Sequence, residues 1–173
     1  MENAPVTLNV ASADPDLTLS QDLKKVSLNF VSGSAGNKQS KPRPFYPYHC
    51  VWGSQGLSSG RHVWEVEIQG TKDPVFVVGV ATELAPGLHG QDQLWALRIF
   101  ASRCEPITSS RVRENLPILL SKVGIYLDRD SGEVVFFDPD KNEHIYTFQA
   151  SFIGEVFPFF GLLNLGSHIT LIP

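Results

Sequence analysis

The chain has 173 residues, a net charge of −4 and 42% hydrophobic residues, among them 11 Phe and 3 Trp. This length fits one domain, and the aromatic content indicates a packed globule and excludes a disordered chain. The mild acidity disfavours broad attraction to nucleic acid or to an anionic membrane. Because there is no signal peptide, no apolar run of ~20 residues and no glycosylation sequon, we expect a cytoplasmic domain of a longer protein that does not enter a membrane.

Turn-forming residues occur throughout the chain, and only one short helix is predicted, near its start. Turn-forming residues recur every eight to fifteen positions, and no window of a dozen residues keeps a helical period. This spacing predicts an all-β chain, either an antiparallel sandwich or a barrel, that forms a single domain over residues 1–173. A short helix is predicted near Asp14 to Leu23.

The two cysteines, Cys50 and Cys104, lie far apart in the sequence and form no Cys-x-x-Cys pair. A zinc ribbon, a RING or a redox motif is therefore excluded from this chain. We expect two reduced, buried thiols in preference to a disulfide.

A glycine- and serine-rich turn, Gly53–His62, leads into a strand at Trp64–Ile68. Alternation places Trp64, Val66 and Ile68 on one face of this strand and acidic or amide side chains on the other. Residues Gly56–Gly60 match Gly-x-Ser-x-Gly, but a hydrolase elbow needs a helix after it. We therefore predict a turn between strands.

Two consecutive strands are predicted in the middle of the chain. Val75–Ala81 is apolar on both faces, which is typical of a central strand. In Leu94–Phe100, alternation points Arg98 and Phe100 away from the core-facing side chains, and Val77 on the first strand is expected to face outward with them. An outward Val, Arg and Phe would form a binding patch, unless a long loop such as Ser32–Pro47 covers that face.

The last third of the chain predicts a hairpin around Asp130–Gly132 and closing strands that end with Ser167–Ile172. Four aspartates in this region could suggest calcium, but the glycine spacing of a calcium loop is absent. We interpret these carboxylates as turn formers that accept hydrogen bonds from their own backbone. The four residues are Asp128, Asp130, Asp138 and Asp140.

No metal or cofactor site is predicted. The five histidines lack a mutual ligand spacing, and neither a Walker A nor a Gly-x-Gly-x-x-Gly motif occurs. Two basic clusters with nearby aromatics could contact RNA, but a solvated surface explains them better. The histidines are His49, His62, His89, His144 and His168; the basic clusters are Lys38, Lys41 and Arg43, with Tyr46, and Arg98, Arg103, Arg111 and Arg113, with Phe100.

Four motifs in order resemble the B30.2 domain, also called PRY-SPRY, of tripartite-motif ubiquitin ligases and butyrophilins. Trp64–Glu67 reads Trp-Glu-Val-Glu, Val78–Ala81 matches the Leu-Gly-Val-Ala strand, and Phe157–Phe160 contains the family's Pro-Phe-Phe. Leu127–Gly132 resembles Leu-Asp-Tyr-Glu-x-Gly, with an arginine in place of the tyrosine. The N-terminal region resembles a PRY segment in which the Leu-Asp-Pro triplet is replaced.

The resemblance implies a two-layer antiparallel β-sandwich of distorted jelly-roll type, with a PRY part over about residues 1–50 and a SPRY part over 51–173. It implies a non-enzymatic domain that binds a protein substrate for ubiquitination by a RING elsewhere in the full protein, in innate immune signalling. The isolated domain is expected to be monomeric and the full-length protein a coiled-coil dimer. A butyrophilin-like sensor of a small anion and an RNA-binding domain are the alternatives.

The resemblance also supplies the expected partner-binding residues, which are Val77, Arg98, Phe100, Leu163 and Asn164. Three of them are the outward residues that alternation selects independently. Replacing Arg98 and Phe100 by alanine is expected to abolish partner capture without changing the melting temperature.

Overall fold

The computed structural model describes residues 2–3, 6–29, 47–70, 72–82, 93–100, 103–107, 116–117 and 120–173. These residues form two facing sheets, and every strand pair is antiparallel except β1 with β5. The elements in chain order are β1 (Glu2–Asn3), a 3₁₀ helix η1 (Val10–Ser12), β2 (Leu17–Leu19), β3 (Lys25–Leu28), β4 (His49–Trp52), β5 (Arg61–Gln69), β6 (Val75–Thr82), β7 (Leu94–Phe100), β8 (Arg103–Ile107), β9 (Leu116–Pro117), β10 (Lys122–Asp128), β11 (Glu133–Asp138), β12 (Glu143–Gln149), β13 (Val156–Leu162) and β14 (His168–Leu171).

The larger sheet has the strand order β12-β11-β10-β5-β14-β3-β2, with β1 added beside β5, and the smaller sheet has the order β4-β13-β6-β7-β8-β9. The predicted two-layer sandwich is confirmed. Strand β6 lies between β13 and β7, so the prediction of a central strand from its two apolar faces is also confirmed. The C-terminal strand β14 is inserted between β5 and β3, well inside the larger sheet.

The main core fills the space between the two sheets. Trp64, Val66 and Ile68 of β5 face it, as alternation predicts, and the core face of β6 presents Phe76, Val78 and Val80 to it. Phe136 and Phe160 add fully buried rings from the two sheets. Burying such side chains is the main favourable contribution to folding, at about 1.5–3 kcal/mol each.

The predicted helix near Asp14 to Leu23 is wrong. That segment contains strand β2, which pairs with β3, and the only helical turn of the N-terminal segment described is the earlier η1. The backbone of Leu17–Leu19 pairs with β3, and Leu23 has a left-handed conformation at φ +58°, which a right-handed helix cannot contain. Asp14 Oδ1 accepts from the backbone N–H of Asp16 at 2.9 Å, and Ser20 Oγ accepts from that of Lys25 at 3.0 Å; these bonds fix the turns on either side of β2.

The Gly56–Gly60 segment is a turn between strands, as predicted. Leu57 forms an isolated bridge with Val156, and the chain then enters β5. Because a strand follows Ser58, the geometry of a nucleophile elbow is absent there.

The hairpin between β10 and β11 depends on Asp128. Its Oδ1 accepts hydrogen bonds from the backbone N–H groups of Asp130 and Ser131 at 3.0 and 3.2 Å. Gly132 completes the turn at φ +77°, where a Cβ would lie 2.4 Å from the carbonyl oxygen of Ala150. Asp138 binds the next turn in the same way, through the N–H groups of Asp140 and Lys141. These contacts confirm that Asp128 and Asp138 are turn formers.

Asp128 should make the stability of the chain pH-dependent in the acid range. The hydrogen bond from Ser131, with help from Asp130 and Arg61, lowers the pKa of Asp128 below its usual value. A lowered folded-state pKa stabilises the fold above the unfolded-state pKa of about 3.9, and this contribution disappears as the pH falls through the folded value.

We expect Asp128→Asn, whose side-chain amide oxygen can still accept the turn hydrogen bonds, to flatten the loss of stability as the pH falls below about 4 in urea unfolding. Asp128→Ala should destabilise the chain at neutral pH as well, because two turn N–H groups lose their acceptor. An unchanged acid slope in Asp128→Asn would contradict this role.

Neither cysteine is positioned for a disulfide. Cys50 and Cys104 are both buried and are not joined by a disulfide, which confirms the prediction of two buried thiols. Cys104 faces the main core, whereas Cys50 belongs to a second cluster on the opposite face of the smaller sheet. Their strands are four intervals apart, or about 19 Å.

Burial raises the pKa of Cys104 to about 11. Because the thiolate is the reactive form, iodoacetamide at pH 8 should label Cys104 in the folded chain more than about a hundredfold more slowly than a free cysteine. In guanidinium chloride both thiols should react, which gives two adducts by mass spectrometry. Cys50→Ser isolates Cys104 for the rate measurement, and rapid labelling of that folded variant would contradict the burial.

Candidate partner-binding surface

One row of cross-strand neighbours crosses the outer face of the smaller sheet, which is the face that points away from the main core. The row runs from β4 to β8 in the order Cys50, Gly161, Val77, Arg98 and Glu105. Because residues that lie directly opposite each other on neighbouring strands project to the same face of a sheet, all five positions face the same side. We call this face the outer surface and use that name below.

Val77 has the direction that alternation predicts but not the exposure. It belongs to the second cluster, with Cys50, Ala96 and Phe159, and only 2% of its surface is exposed. The expectation of an outward, solvent-facing valine is therefore corrected: Val77 forms the floor of the outer surface. Tyr48 packs against this cluster and contributes to its cover.

Arg98 is fixed from two sides. Its Nε donates to the Tyr48 hydroxyl at 2.6 Å, and its Nη1 donates to Oε1 of Glu105 in a charged hydrogen bond. The guanidinium also lies 5.7 Å from the centre of the Tyr48 ring. The side chain of Arg98 is 30% exposed and that of Glu105 only 6%. The guanidinium thus reaches the surface in a single, well-defined orientation.

The electrostatics of Arg98 follow from these contacts. Burial disfavours its charge, but Tyr48 and Glu105 outweigh that effect and raise the pKa of the guanidinium above its usual value. Arg98 therefore stays charged, and its charge is balanced locally by Glu105.

Phe100 lies in the next outward row, beside Val75 on β6 and Arg103 on β8. Its ring is partly exposed, and the Arg103 guanidinium is 5.9 Å from the ring centre. An aromatic ring under an exposed arginine provides apolar area with a polar edge.

The loop after β13 closes this end of the outer surface. Asn164 Oδ1 accepts a hydrogen bond from the backbone N–H of Val75 at 2.8 Å, and the Ser167 hydroxyl donates to the Asn164 carbonyl at 2.6 Å. The Asn164 side chain is thus used to hold the loop at the start of β6, next to Phe100. Leu163, partly exposed, precedes it.

The structure therefore brings the five residues expected to bind a partner to one region: three on β6 and β7 and two on the adjacent loop. Sequence reasoning missed Tyr48 and Glu105, which determine the orientation of Arg98. The sequence does offer a hint of Glu105, because it is an acidic residue seven positions after Arg98. Its pairing depends on the register of β8 against β7, which the sequence does not specify.

One cluster could hold a cation elsewhere in the described part of the chain. The ligand atoms of Asp14, Asp16 and His49 lie within 4.8 Å of one another, with His49 Nδ1 at 3.2 Å from Asp14 Oδ1. These contacts join the N-terminal segment to β4. The sequence analysis missed this group because it compared spacings among histidines and among neighbouring aspartates separately, and His49 lies more than 30 positions from Asp14 and Asp16.

Some predicted features lie outside the described residues. They include most of the Ser32–Pro47 loop that was considered as a cover, and the residues Lys38, Lys41, Arg43, Tyr46, His89, Arg111 and Arg113. Among the described residues, no helix has the length and hydropathy needed to cross a membrane.

Comparisons with known proteins agree with this architecture. The model of the SPRY domain family matches residues 61–172. The chain is 57% identical to E3 ubiquitin-protein ligase TRIM31 of Mus musculus, over 99% of this chain and 35% of that protein. It is 34% identical to butyrophilin subfamily 1 member A1 of Bos taurus, over 97% of this chain and 32% of that protein. The chain thus spans about a third of these relatives.

The crystal structure of the TRIM65 PSpry domain has the same fold, with a TM-score of 0.79 at 23% identity, over 99% of this chain and 91% of that one. The family match, the two sequence relatives and the sandwich agree with the four motifs. The chain belongs to the SPRY domain family, as a PRY-SPRY (B30.2) domain of the tripartite-motif and butyrophilin type, and it is a protein-interaction module.

Proposed function

We propose that the outer surface captures a protein substrate and presents it for ubiquitination by a RING that lies outside this chain. The observation that carries the proposal is the fixed Arg98, held by Tyr48 and Glu105 beside the partly exposed Phe100. The 57% identity to a protein named as an E3 ubiquitin-protein ligase supports the link to ubiquitination.

The binding mechanism follows from rigidity. Arg98 loses little side-chain freedom on binding because it is already fixed, and pre-ordered anchors cost less entropy at an interface. Phe100 and Leu163 supply apolar area, and Arg98 and Arg103 supply directional donors. Aromatic and arginine side chains are the residue types that dominate binding hot spots. Val77 and Asn164 act beneath them, as floor and as loop anchor.

The proposal includes the setting of the domain. It places the PRY part over about residues 1–50 and the SPRY part over 51–173, in a cytoplasmic protein of innate immune signalling. The isolated domain is monomeric, and the full-length protein dimerises through a coiled coil outside this chain. The similarity to a longer E3 ubiquitin-protein ligase, of which the chain spans about a third, supports placing the domain in a larger protein.

The rival functions find less support at this surface. A butyrophilin-like sensor of a small anion needs uncompensated positive charge, whereas Glu105 neutralises Arg98. An RNA-binding surface needs several free phosphate contacts, and its affinity should fall steeply with salt.

The Arg98–Glu105 pair should contribute to stability as well as to binding. Arg98→Ala leaves the Glu105 carboxylate buried and without its cation, which should cost about 2 kcal/mol, less than for a fully buried pair because Arg98 is partly exposed. The melting temperature should fall by roughly 4–8 °C.

The double variant Arg98→Ala/Glu105→Ala should be more stable than Arg98→Ala alone, because no buried charge remains unpaired. Calorimetry on both single variants and the double variant measures the coupling. Strictly additive losses would show that the pair contributes nothing. This coupling also revises the expectation that Arg98 can be removed without thermal cost.

Phe100→Ala is the sharper test of partner capture. Affinity capture from cell lysate with quantitative mass spectrometry should recover the partner roughly 30-fold less well with Phe100→Ala, since a hot-spot residue contributes about 2 kcal/mol or more. Tyr126→Ala is the matched control, because Tyr126 is a partly exposed aromatic on the other sheet.

Equal recovery with Phe100→Ala and the native chain would contradict the proposed surface. Ribonuclease treatment of the lysate tests the RNA alternative. If RNA mediates capture, the native chain should recover less partner after this treatment. The captured partner should also become ubiquitinated when the full-length protein is supplied with ubiquitin, E1 and E2.

A further inference from the structure

A second arginine–aromatic group lies at the opposite end of the sandwich. The Arg129 guanidinium stacks 4.9 Å from the centre of the Phe152 ring, and Phe152 meets Trp95 edge to face at 4.9 Å between ring centres. Trp95 is five residues from Phe100 along β7, which places the two groups about 17 Å apart. Trp95 also packs against the main core and not against the outer surface.

Two nitrogens of the Arg129 guanidinium have no hydrogen-bond partner among the residues that the structure describes. They are Nε and Nη1, and both are shielded from solvent. Buried polar groups almost always find a partner, and a guanidinium is a demanding case because its five N–H donors need acceptors. The residue as a whole is partly exposed. A small shift of this side chain would therefore bring the two shielded donors to an acceptor outside the domain.

The neighbouring acid does not compensate Arg129. Asp128 uses Oδ1 for the N–H groups of the turn, and its Oδ2 lies 3.4 Å from Nε of Arg61. The backbone N–H of Arg129 donates to the Gly60 carbonyl, which fixes the start of the turn. This bond uses only the backbone, so it does not involve the Arg129 guanidinium.

An apolar contact point lies next to this cation. Ile153 follows Phe152 directly and is 88% exposed, the highest value among the large hydrophobic residues described. Gly154 then turns the chain at φ +76°, and a Cβ there would have open space around it. An exposed isoleucine beside an unsatisfied guanidinium matches a ligand with an apolar group next to an anion.

We propose that Arg129, Phe152 and Ile153 form a second docking surface that binds an extended acidic–apolar peptide segment of a partner protein. A Glu or Asp carboxylate of that segment pairs with the Arg129 guanidinium, which is suited to bidentate contact, and the neighbouring apolar side chain packs on Ile153. Exposed Asp130 and Glu155 occur in the same two loops and repel a doubly charged phosphate about twice as strongly as a carboxylate. This surface is additional to the outer surface and independent of it.

The test uses a blocked pentapeptide, Gly-Leu-Glu-Leu-Gly, and its Gly-Leu-Gln-Leu-Gly counterpart, titrated into the isotope-labelled chain and followed by NMR. The glutamate peptide should shift the Arg129 Nε–H signal and the Ile153 amide saturably. The glutamine peptide should bind about tenfold more weakly, because a charge-assisted hydrogen bond is lost.

Three variants define the site. Arg129→Tyr introduces the residue of the resembling family motif, and it should remove the response while the spectrum shows a folded chain. Ile153→Ser should weaken binding several-fold. Arg61→Gln, which changes a neighbouring exposed arginine, and Phe100→Ala, which damages the outer surface, should both leave it unchanged.

The proposal is overturned if the two peptides bind equally, if the response persists in Arg129→Tyr, or if no saturable shift occurs at millimolar peptide. It is also overturned if inorganic phosphate produces the same shifts at lower concentration, since the group would then be a simple anion site. If Phe100→Ala abolished binding, the peptide would bind at the outer surface, and the second site would be refuted as well.

Discussion

Strand β6 is buried on both faces, and the proposed partner-binding surface depends on this constraint. Its core-facing residues close the sandwich, while Val77 on the other face belongs to a second apolar cluster that needs its own cover. The strand therefore cannot present contact residues itself. Contacts must come from its neighbours, and the register with β7 places Arg98 and Phe100 beside the covered floor. A doubly buried strand also gives the surface a rigid base, because moving it would disturb two packed clusters at once.

Arg98 links this rigidity to recognition. A guanidinium that reaches a surface can usually adopt many rotamers, but Tyr48 and Glu105 restrict it to one. The carboxylate is nearly inaccessible, so the pair is formed before any partner arrives. The cost of desolvating Glu105 is thus borne during folding and not during binding. In the proposed function, stability and specificity depend on the same two residues, so a change to Arg98 alone is expected to affect both.

The sequence predicts what depends on local alternation and fails where distant segments meet. The faces of β5, β6 and β7 follow from period-two patterns, and the turn at Asp128 follows from its own side-chain chemistry. The predicted exposure of Val77 was wrong because its burial depends on Tyr48, which lies 29 positions away in sequence. The partner of Arg98 was missed because alternation gives a face but not a register. The helix near Asp14 was wrong because Leu17–Leu19 pairs with β3, and such tertiary pairing overrides local helix propensity.

The two arginine–aromatic groups differ in one physical respect, and that difference separates their roles. Arg98 has internal acceptors, so its orientation is fixed and its charge balanced before binding. Arg129 lies over the Phe152 ring, but two of its shielded nitrogens have no acceptor among the described residues. A cation–π contact compensates part of the charge but does not supply the oxygen acceptors that N–H donors need. In the proposed complex that acceptor comes from the peptide, whose apolar side chain packs on the exposed Ile153. The first arginine is organised by the fold, and the second still needs an external group to complete its hydrogen bonds.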